Sequence, residues 1–316
     1  MAAVLLNKLR TKKMKHTFFY LILLTCTFVG CKTANIDTVN AKALESNDVL
    51  VVLLAGQSNM AGAGNFDELS PVDLKRIKNI SKRVSLSFNG KPAEPLSYYD
   101  NKPSEKYAFL KRFGPELFMG LTLAERNPNQ EFLLIKRSQG GTALYGAWNP
   151  NWTAKKAKEV EKGESKQNLK LYDLHITDIK KNIEVLKTQN KTYKIIGLAW
   201  MQGENDAAKE ISATTYKDNL RILIKSYRED LGKKNLPFVI GQINSRNGKF
   251  QEKGPAIVRQ AMNEVSASDN QVAIIKTSTD TTWADYPKHT DNVHYNTEGQ
   301  KRLGIAFANK LSILNQ

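Results

Sequence analysis

Leu53 to Gly62 reads LLAGQSNMAG. Here an apolar run of β-formers, Val49 to Leu54, stops abruptly in a loop of small residues that presents a single serine, Ser58. In open α/β sheets chemistry collects in the crevice at the carboxyl ends of the strands, so a hydroxyl at this point sits where a nucleophile would be mounted. Taken alone, a serine in a strand-to-helix loop serves as readily as a helix N-cap. A nucleophile also needs a base from elsewhere in the chain.

Outward from this stretch, apolar β-rich runs alternate with helical patterns. The runs are Val49 to Ala55, Val84 to Phe88, Phe132 to Lys136, Ile195 to Trp200, Phe238 to Ile243 and Val272 to Lys276. Between them, Ile176, Ile179, Ile183 and Leu186 recur at helical spacing, as do Tyr216, Leu220, Leu223, Ile224 and Tyr227. Such alternation predicts an α/β fold, a mainly parallel sheet covered on both faces. The segment from Trp152 to Gln167 is highly charged and poor in large apolar residues, which predicts an exposed excursion, partly helical.

The chain holds four histidines, His16, His175, His289 and His294. His16 precedes the globular region and His175 lies mid-helix, which leaves the segment YPKHTDNVHYNTEG. Within it, Asp291 and His294 form an Asp-x-x-His unit, in which one turn of chain folds a carboxylate back onto an imidazole and fixes its tautomer. His289 lacks an acid at that spacing; Asp285 is four residues back, and Pro287 argues against the helix that would join them. The bland alternative makes Asp291 a turn residue and His294 a surface histidine before a helix starting near Asn296 or Thr297.

Two further blocks stand out. Gly140 and Gly141 follow the run Phe132 to Lys136, and glycine lets a backbone N–H approach a ligand that any Cβ would obstruct. Trp200 to Asp206 reads WMQGEND. The Gly-x-Ser-x-Gly elbow of α/β-hydrolases is absent, because Met occupies position 60. A dinucleotide-binding loop is absent as well, since Gly62-x-Gly64 comes late and lacks its third glycine.

In their order along the chain, Gly56-Gln57-Ser58-Asn59-Met60, Gly140-Gly141-Thr142, Trp200 to Asp206 and Asp291-x-x-His294 resemble the blocks of SGNH hydrolases. They are most similar to the branch that contains acetylxylan esterases of carbohydrate esterase family six and sialic-acid-type O-acetylesterases. The resemblance spans Val49 to Leu314. It implies a three-layer α/β/α domain that deacetylates sugars, with Ser58, Asp291 and His294 as catalytic triad and the Ser58 N–H in the oxyanion hole. It further implies a glycine N–H as oxyanion donor, from Gly141 or, as second choice, Gly140. Gly203-x-Asn205-Asp206 matches the wider superfamily, in which the asparagine amide donates. The acetylesterase branch reads Gln-Gly-Glu-x-Asp and assigns that role to the glutamine, so Gln202 is expected and Asn205 is the alternative. Glu204 is an auxiliary acid near the histidine or a carboxylate complementing a helix dipole.

The formal charge of +16 suggests nucleic acid at first sight, but Lys8, Arg10, Lys12, Lys13 and Lys15 lie in a leader without acids, which leaves +11. Elsewhere lysines alternate with glutamates in the pattern of solvated helix faces, and no nucleic-acid motif accompanies them. In the leader, Lys12, Lys13 and Lys15 precede an apolar stretch, Phe18 to Gly30, that is too short to span a bilayer and ends at Phe28-Val29-Gly30-Cys31. This resembles a bacterial lipoprotein signal: residues 1–30 removed, Cys31 lipidated, 31–47 a polar tether and 48–316 a single esterase domain. Met14 is an alternative start. The protein is then expected in the cell envelope, anchored to a membrane at its amino end, and its oligomeric state is not fixed by sequence.

No cofactor is expected, and no metal, because no clustered His/Cys ligand set exists. Gln57, Trp148, Trp152 and Trp283 are candidate substrate contacts, the tryptophans as a stacking wall for a sugar ring. The alternatives are a glycan-binding lipoprotein without catalysis and a lipase or thioesterase acting on longer acyl chains.

Overall fold

A computed structural model describes residues 48–245, 250 and 252–316. The leader, Cys31 and the tether lie outside the described residues. The strands are β1 (Val49–Gly56), β2 (Gly64–Asn65), β3 (Val84–Phe88), β4 (Glu94–Pro95), β5 (Tyr99–Asp100), β6 (Lys111–Phe113), β7 (Phe132–Ser138), β8 (Tyr193–Met201), β9 (Phe238–Gly241) and β10 (Val272–Ile275). The helices are α1 (Ser58–Ala61), α2 (Pro71–Ile80), α3 (Pro115–Arg126), α4 (Ala154–Val160), α5 (Glu164–Gln167), α6 (Leu171–Thr188), α7 (Glu204–Ala207), α8 (Glu210–Thr214), α9 (Tyr216–Asp230), α10 (Lys253–Ala267) and α11 (Thr297–Leu314).

All six apolar runs become strands of one seven-stranded sheet, ordered β10-β9-β8-β1-β7-β3-β4. Its pairings are parallel except β3 with β4. Continuous apolar runs suit such strands because both faces are covered. In β1, Val51, Leu53 and Ala55 point into a core shared with α6, α9 and α10. Val52 and Leu54 point into a second core shared with α2, α3 and α11. The result is the expected three-layer α/β/α sandwich. A small antiparallel sheet, β2-β6-β5, lies outside it.

Register decides where the site forms. Gly56 at the end of β1 pairs with Ser138 at the end of β7 and with Met201 at the end of β8. The loops that follow these strands, each carrying one of the sequence blocks, therefore emerge side by side. A side chain at Gly56 could not be accommodated, because its Cβ would lie 2.1 Å from the Met201 carbonyl oxygen.

The charged segment from Trp152 to Gln167 is largely exposed and partly helical, as expected, with Glu161 as an exception. It folds into α4 and α5, and Glu161 between them is buried. Its Oε1 accepts the Ala143 and Ala147 N–H groups, both at 2.9 Å, so the acid braces the loop after β7 instead of facing water.

Candidate active site

Ser58 is the first residue of α1, and the cap position before it belongs to Gln57, whose side chain makes no capping bond to α1. The N-cap reading of Ser58 is thereby removed. The far end of this short helix is fastened tightly. Ala61 O accepts from Lys136 Nζ at 3.1 Å and from the Tyr99 hydroxyl, and Gly62 O accepts from Arg112 Nε at 2.6 Å. Lys136 is fully buried in β7 and pairs at 2.6 Å with the equally buried Glu116, which accepts the Gly114 N–H at 2.9 Å. Gly62, at φ 92°, lets this backbone run against Gly114, where a Cβ would come within 2.1 Å.

Asn59 brings the distant blocks together. It is buried, and each polar atom of its side chain has a partner. Oδ1 accepts the Tyr295 N–H at 3.1 Å, while Nδ2 donates to Val293 O at 3.1 Å and to Glu204 Oε1 at 2.7 Å. The residue after Ser58 thus grips the chain on both sides of His294, and Gln300 Nε2 adds a bond to Asn59 O at 3.4 Å. Glu204 meets the histidine segment through Asn59 and not directly. Burial raises its pKa, and its Oε2 has no partner among the described residues.

Asp291 and His294 form the predicted unit, with Oδ2 2.7 Å from Nδ1. Oδ1 accepts the N–H groups of Val293 at 2.8 Å and His294 at 2.9 Å, so the carboxylate closes its own turn. Burial pushes the Asp291 pKa up, but the His294 amide, the Lys106 ammonium, the Val293 amide and the imidazole together hold it far below the usual carboxylate range. For His294, burial and the nearby Lys106 and Arg112 charges outweigh the pull of Asp291, leaving its pKa below the ordinary histidine value. Helix α11 begins at Thr297 behind an Asn296 cap that accepts the Gly299 N–H at 3.0 Å.

The other two histidines among the described residues, His289 and His175, bond to protein groups away from Asp291. His289 Nε2 is 2.8 Å from Ala63 O, and buried His175 lies 2.7 Å from the Tyr227 hydroxyl, with its pKa lowered by burial to about 3.

Gly140 lies against Ser58: a Cβ there would sit 3.5 Å from Ser58 Cβ. A Cβ on Gly141 would instead meet Lys166 Nζ at 2.8 Å, and that lysine donates to Gly141 O at 3.2 Å. Proximity to Ser58 therefore favours Gly140 over the expected Gly141.

Gln202 departs from its expected role. It is fully buried, and Nε2 has three acceptors: Asp206 Oδ2 at 2.5 Å, Thr142 O at 3.0 Å and Gln57 Oε1 at 3.3 Å. Its amide ties the loops after β7 and β8 together. Asp206 completes this net by accepting the Leu144 and Tyr145 N–H groups at 2.8 and 3.0 Å, with its pKa pushed up by burial to about 7. Gln57, expected at the substrate, is also buried, and its Oε1 caps α7 through Gly203 N at 3.4 Å and Asn205 N at 3.3 Å. The half-buried Asn205 carboxamide has no such commitment among the described residues.

The stacking wall is not formed. Trp148 is fully buried, its ring edge-on to Trp200 at 5.2 Å and its Nε1 donating to Thr142 Oγ1 at 3.2 Å. Trp283 is buried, donates to Asn292 Oδ1 at 3.0 Å and carries Lys288 Nζ 3.5 Å from its ring centre. Trp152 is half-buried, with Lys170 over its ring at 4.7 Å.

The hairpin from Asp100 to Lys111 went unread in the sequence. Lys106 Nζ is 2.5 Å from Asp291 Oδ2, and Tyr107 presents its ring edge-on to His294 at 6.3 Å and to His289 at 5.4 Å. Arg112 covers the Tyr107 ring at 4.8 Å. Among the described residues, no group of three or more His, Cys, Asp or Glu is gathered to hold a metal ion.

This sheet, with its sequence blocks gathered at one end of the strands, defines an SGNH-type hydrolase. Residues 48–312 match the family described as carbohydrate esterase, sialic acid-specific acetylesterase, and the chain belongs to it, a family of carboxylic ester hydrolases. A probable carbohydrate esterase of Arabidopsis thaliana is 24% identical over 271 residues, covering 82% of this chain and 88% of the plant protein. Three solved structures share the fold. A protein from Arabidopsis thaliana has a TM-score of 0.61 at 22% identity, with 84% of this chain and 98% of that one covered. A carbohydrate acetylesterase from Xanthomonas citri has a TM-score of 0.55 at 18% identity, with 84% and 56% covered. NanS has a TM-score of 0.51 at 13% identity, with 86% and 98% covered.

Proposed function

We propose that the protein is a serine-dependent O-acetylesterase that releases acetate from acetylated sugars, with Ser58 as nucleophile, His294 as base and Asp291 as its partner. The observation that carries this reading is the Asn59 clamp, which joins the Ser58 turn to the peptide on either side of an imidazole already bonded to its carboxylate. Membership in the carbohydrate esterase family supports the substrate class.

In the first half-reaction the Ser58 hydroxyl attacks the acetyl carbonyl carbon while His294 Nε2 takes its proton. Asp291 holds the Nδ1 proton and stabilises the imidazolium. The oxyanion accepts from the Ser58 and Gly140 N–H groups, neither of which has a backbone acceptor among the described residues, and from the Asn205 carboxamide. Each donor contributes roughly 3 kcal/mol in the transition state. Collapse expels the sugar hydroxyl, which leaves with the proton from His294. Water, deprotonated by the same base, then attacks the acetyl-serine and releases acetate.

The test is S58A against the wild type on p-nitrophenyl acetate, butyrate and longer esters. The expected outcome is acetate preference in the wild type and loss of turnover by at least about 10³-fold in S58A, with an unchanged melting curve. Retention of most activity in S58A removes Ser58 from the mechanism, and preference for long chains moves the protein to the lipases. Acetylated xylan and O-acetyl sialosides, assayed side by side, then identify the sugar.

Envelope anchoring through Cys31 belongs to the same reading. C31S is expected to lose palmitate labelling and partition out of the detergent phase; an unchanged partition refutes the anchor.

A further inference from the structure

Lys106 lies on the one carboxylate that the triad requires. Its Nζ is 2.5 Å from Asp291 Oδ2, the oxygen that also accepts from His294 Nδ1 at 2.7 Å, and it is 3.0 Å from Nδ1 itself. Two donors therefore converge on one acceptor. An ammonium so placed opposes the positive charge that the ring acquires when it takes a proton, yet it stays on the Nδ1 side and leaves Nε2 open.

The hairpin is shaped to deliver this cation. Asn101 Nδ2 donates to Tyr107 O at 3.3 Å and Phe109 O at 2.7 Å, and Asn101 N donates to Leu110 O at 2.7 Å, closing the loop at its base. Lys106 Nζ also lies 5.3 Å from the Tyr107 ring centre.

We propose that Lys106 is a positioning residue that shares Asp291 with His294 and thereby keeps the imidazole neutral, and available as base, in mildly acidic surroundings. This deepens the reading of His294 as the base of Ser58 and rests on it.

Every charged or titratable group facing His294 enters the balance. Asp291, on its own loop, favours the charged ring. Lys106 and Tyr107 come from the hairpin, and Arg112 from β6 opposes the ring's charge while fixed on Gly62 O. Glu204 on α7 stands behind Asn59, and His289 packs against Tyr107 with ring centres 5.4 Å apart. Lys288 feels Asp291 and Glu204. Ser58 and Asn59 on α1 are neutral. Of the cations, Lys106 is the one touching the Asp291–His294 pair, and its half-exposed side chain can be replaced without opening a buried hole.

The test is the pH dependence of kcat/KM on p-nitrophenyl acetate for wild type, K106M and K106R, together with NMR titration of the His294 ring in S58A and S58A/K106M. Removing the charge is expected to raise the acid limb by about one pH unit, so that K106M falls up to roughly ten-fold below wild type on the acid side of the wild-type limb while the gap closes above about pH 8. K106R keeps the wild-type limb. The ring titration shifts by the same amount with no turnover required. A limb and a ring titration that both ignore Lys106 overturn the proposal, as does a K106M loss that is uniform across pH. An S58A enzyme that still turns over defeats the nucleophile reading instead, while the ring titration still decides what Lys106 does to His294.

Discussion

The two flanks of Ser58 are both polar but are built in opposite ways. On the β8 side, Gln57, Gln202 and Asp206 are buried and bonded to one another or to backbone. On the histidine side, Asp291, His294 and Lys106 are partly exposed, and Asp291 and Lys106 carry charge. A buried, mutually bonded network fixes geometry, because an unmatched group inside it carries a full desolvation penalty. A part-open cluster can change protonation during a reaction. Under the proposed mechanism, scaffolding falls to the first flank and proton chemistry to the second.

The sharpest way to break this division is D291N. Loss of the carboxylate is expected to lower kcat by about 10⁴-fold and also to lower the melting temperature, because the fold holds Asp291 ionised, as measured by steady-state kinetics beside calorimetry. A mild kinetic effect would make the histidine flank scaffolding too.

Between the flanks stands Asn59, and N59A is expected to fall between them. We expect a drop of roughly 10²-fold in kcat with KM nearly constant, because the base loses its register with Ser58. Stability also falls by about 1–3 kcal/mol, since Glu204 and the Tyr295 N–H lose their partner. Urea melts and initial rates on one preparation measure both.

On the β8 side, Q202L and N205A separate the two amides. Q202L is expected to lose about 2–3 kcal/mol of stability, with Asp206 and Gln57 left short of a donor. N205A is expected to stay within about 0.5 kcal/mol of wild type in stability while losing kcat. The reverse pattern would return the oxyanion role to Gln202.

The last effect is a pH dependence. Asp206 has a folded pKa near 7, above its ordinary value of 3.8, so the fold binds its proton more tightly than the unfolded chain does. Its contribution to stability is complete below the unfolded value and is lost as pH rises toward 7. The gap in urea midpoint between wild type and D206N is therefore expected to narrow from pH 4 to pH 7. A constant gap would place the Asp206 pKa near its ordinary value.

Much of this architecture was legible in the sequence, and the exceptions have physical reasons. The six main strands are continuous apolar runs because both faces of the sheet are covered. Strands β2, β4, β5 and β6 are two or three residues long and leave no period to read. The Asp291–His294 pair was visible because its geometry is local. Asn59 was not, since its partners lie 145 to 236 residues away. The direction of an amide is likewise invisible: Gln202 turns inward, and Gln57 caps a helix. Trp148 could face a sugar or the core with equal ease until its neighbours were in place. Lys106 reads as an ordinary solvated lysine in a polar loop, and only the fold brings it to Asp291.

The sealed pair of Lys136 and Glu116 beneath the Ser58 turn carries a historical consequence. Losing either member strands its mate as a buried lone ion, a penalty of about 3–5 kcal/mol, whereas two apolar residues of matching volume are tolerated far better. A lineage drifting one substitution at a time meets a barrier at each intermediate, so the two positions are expected to change together or to stay as they are.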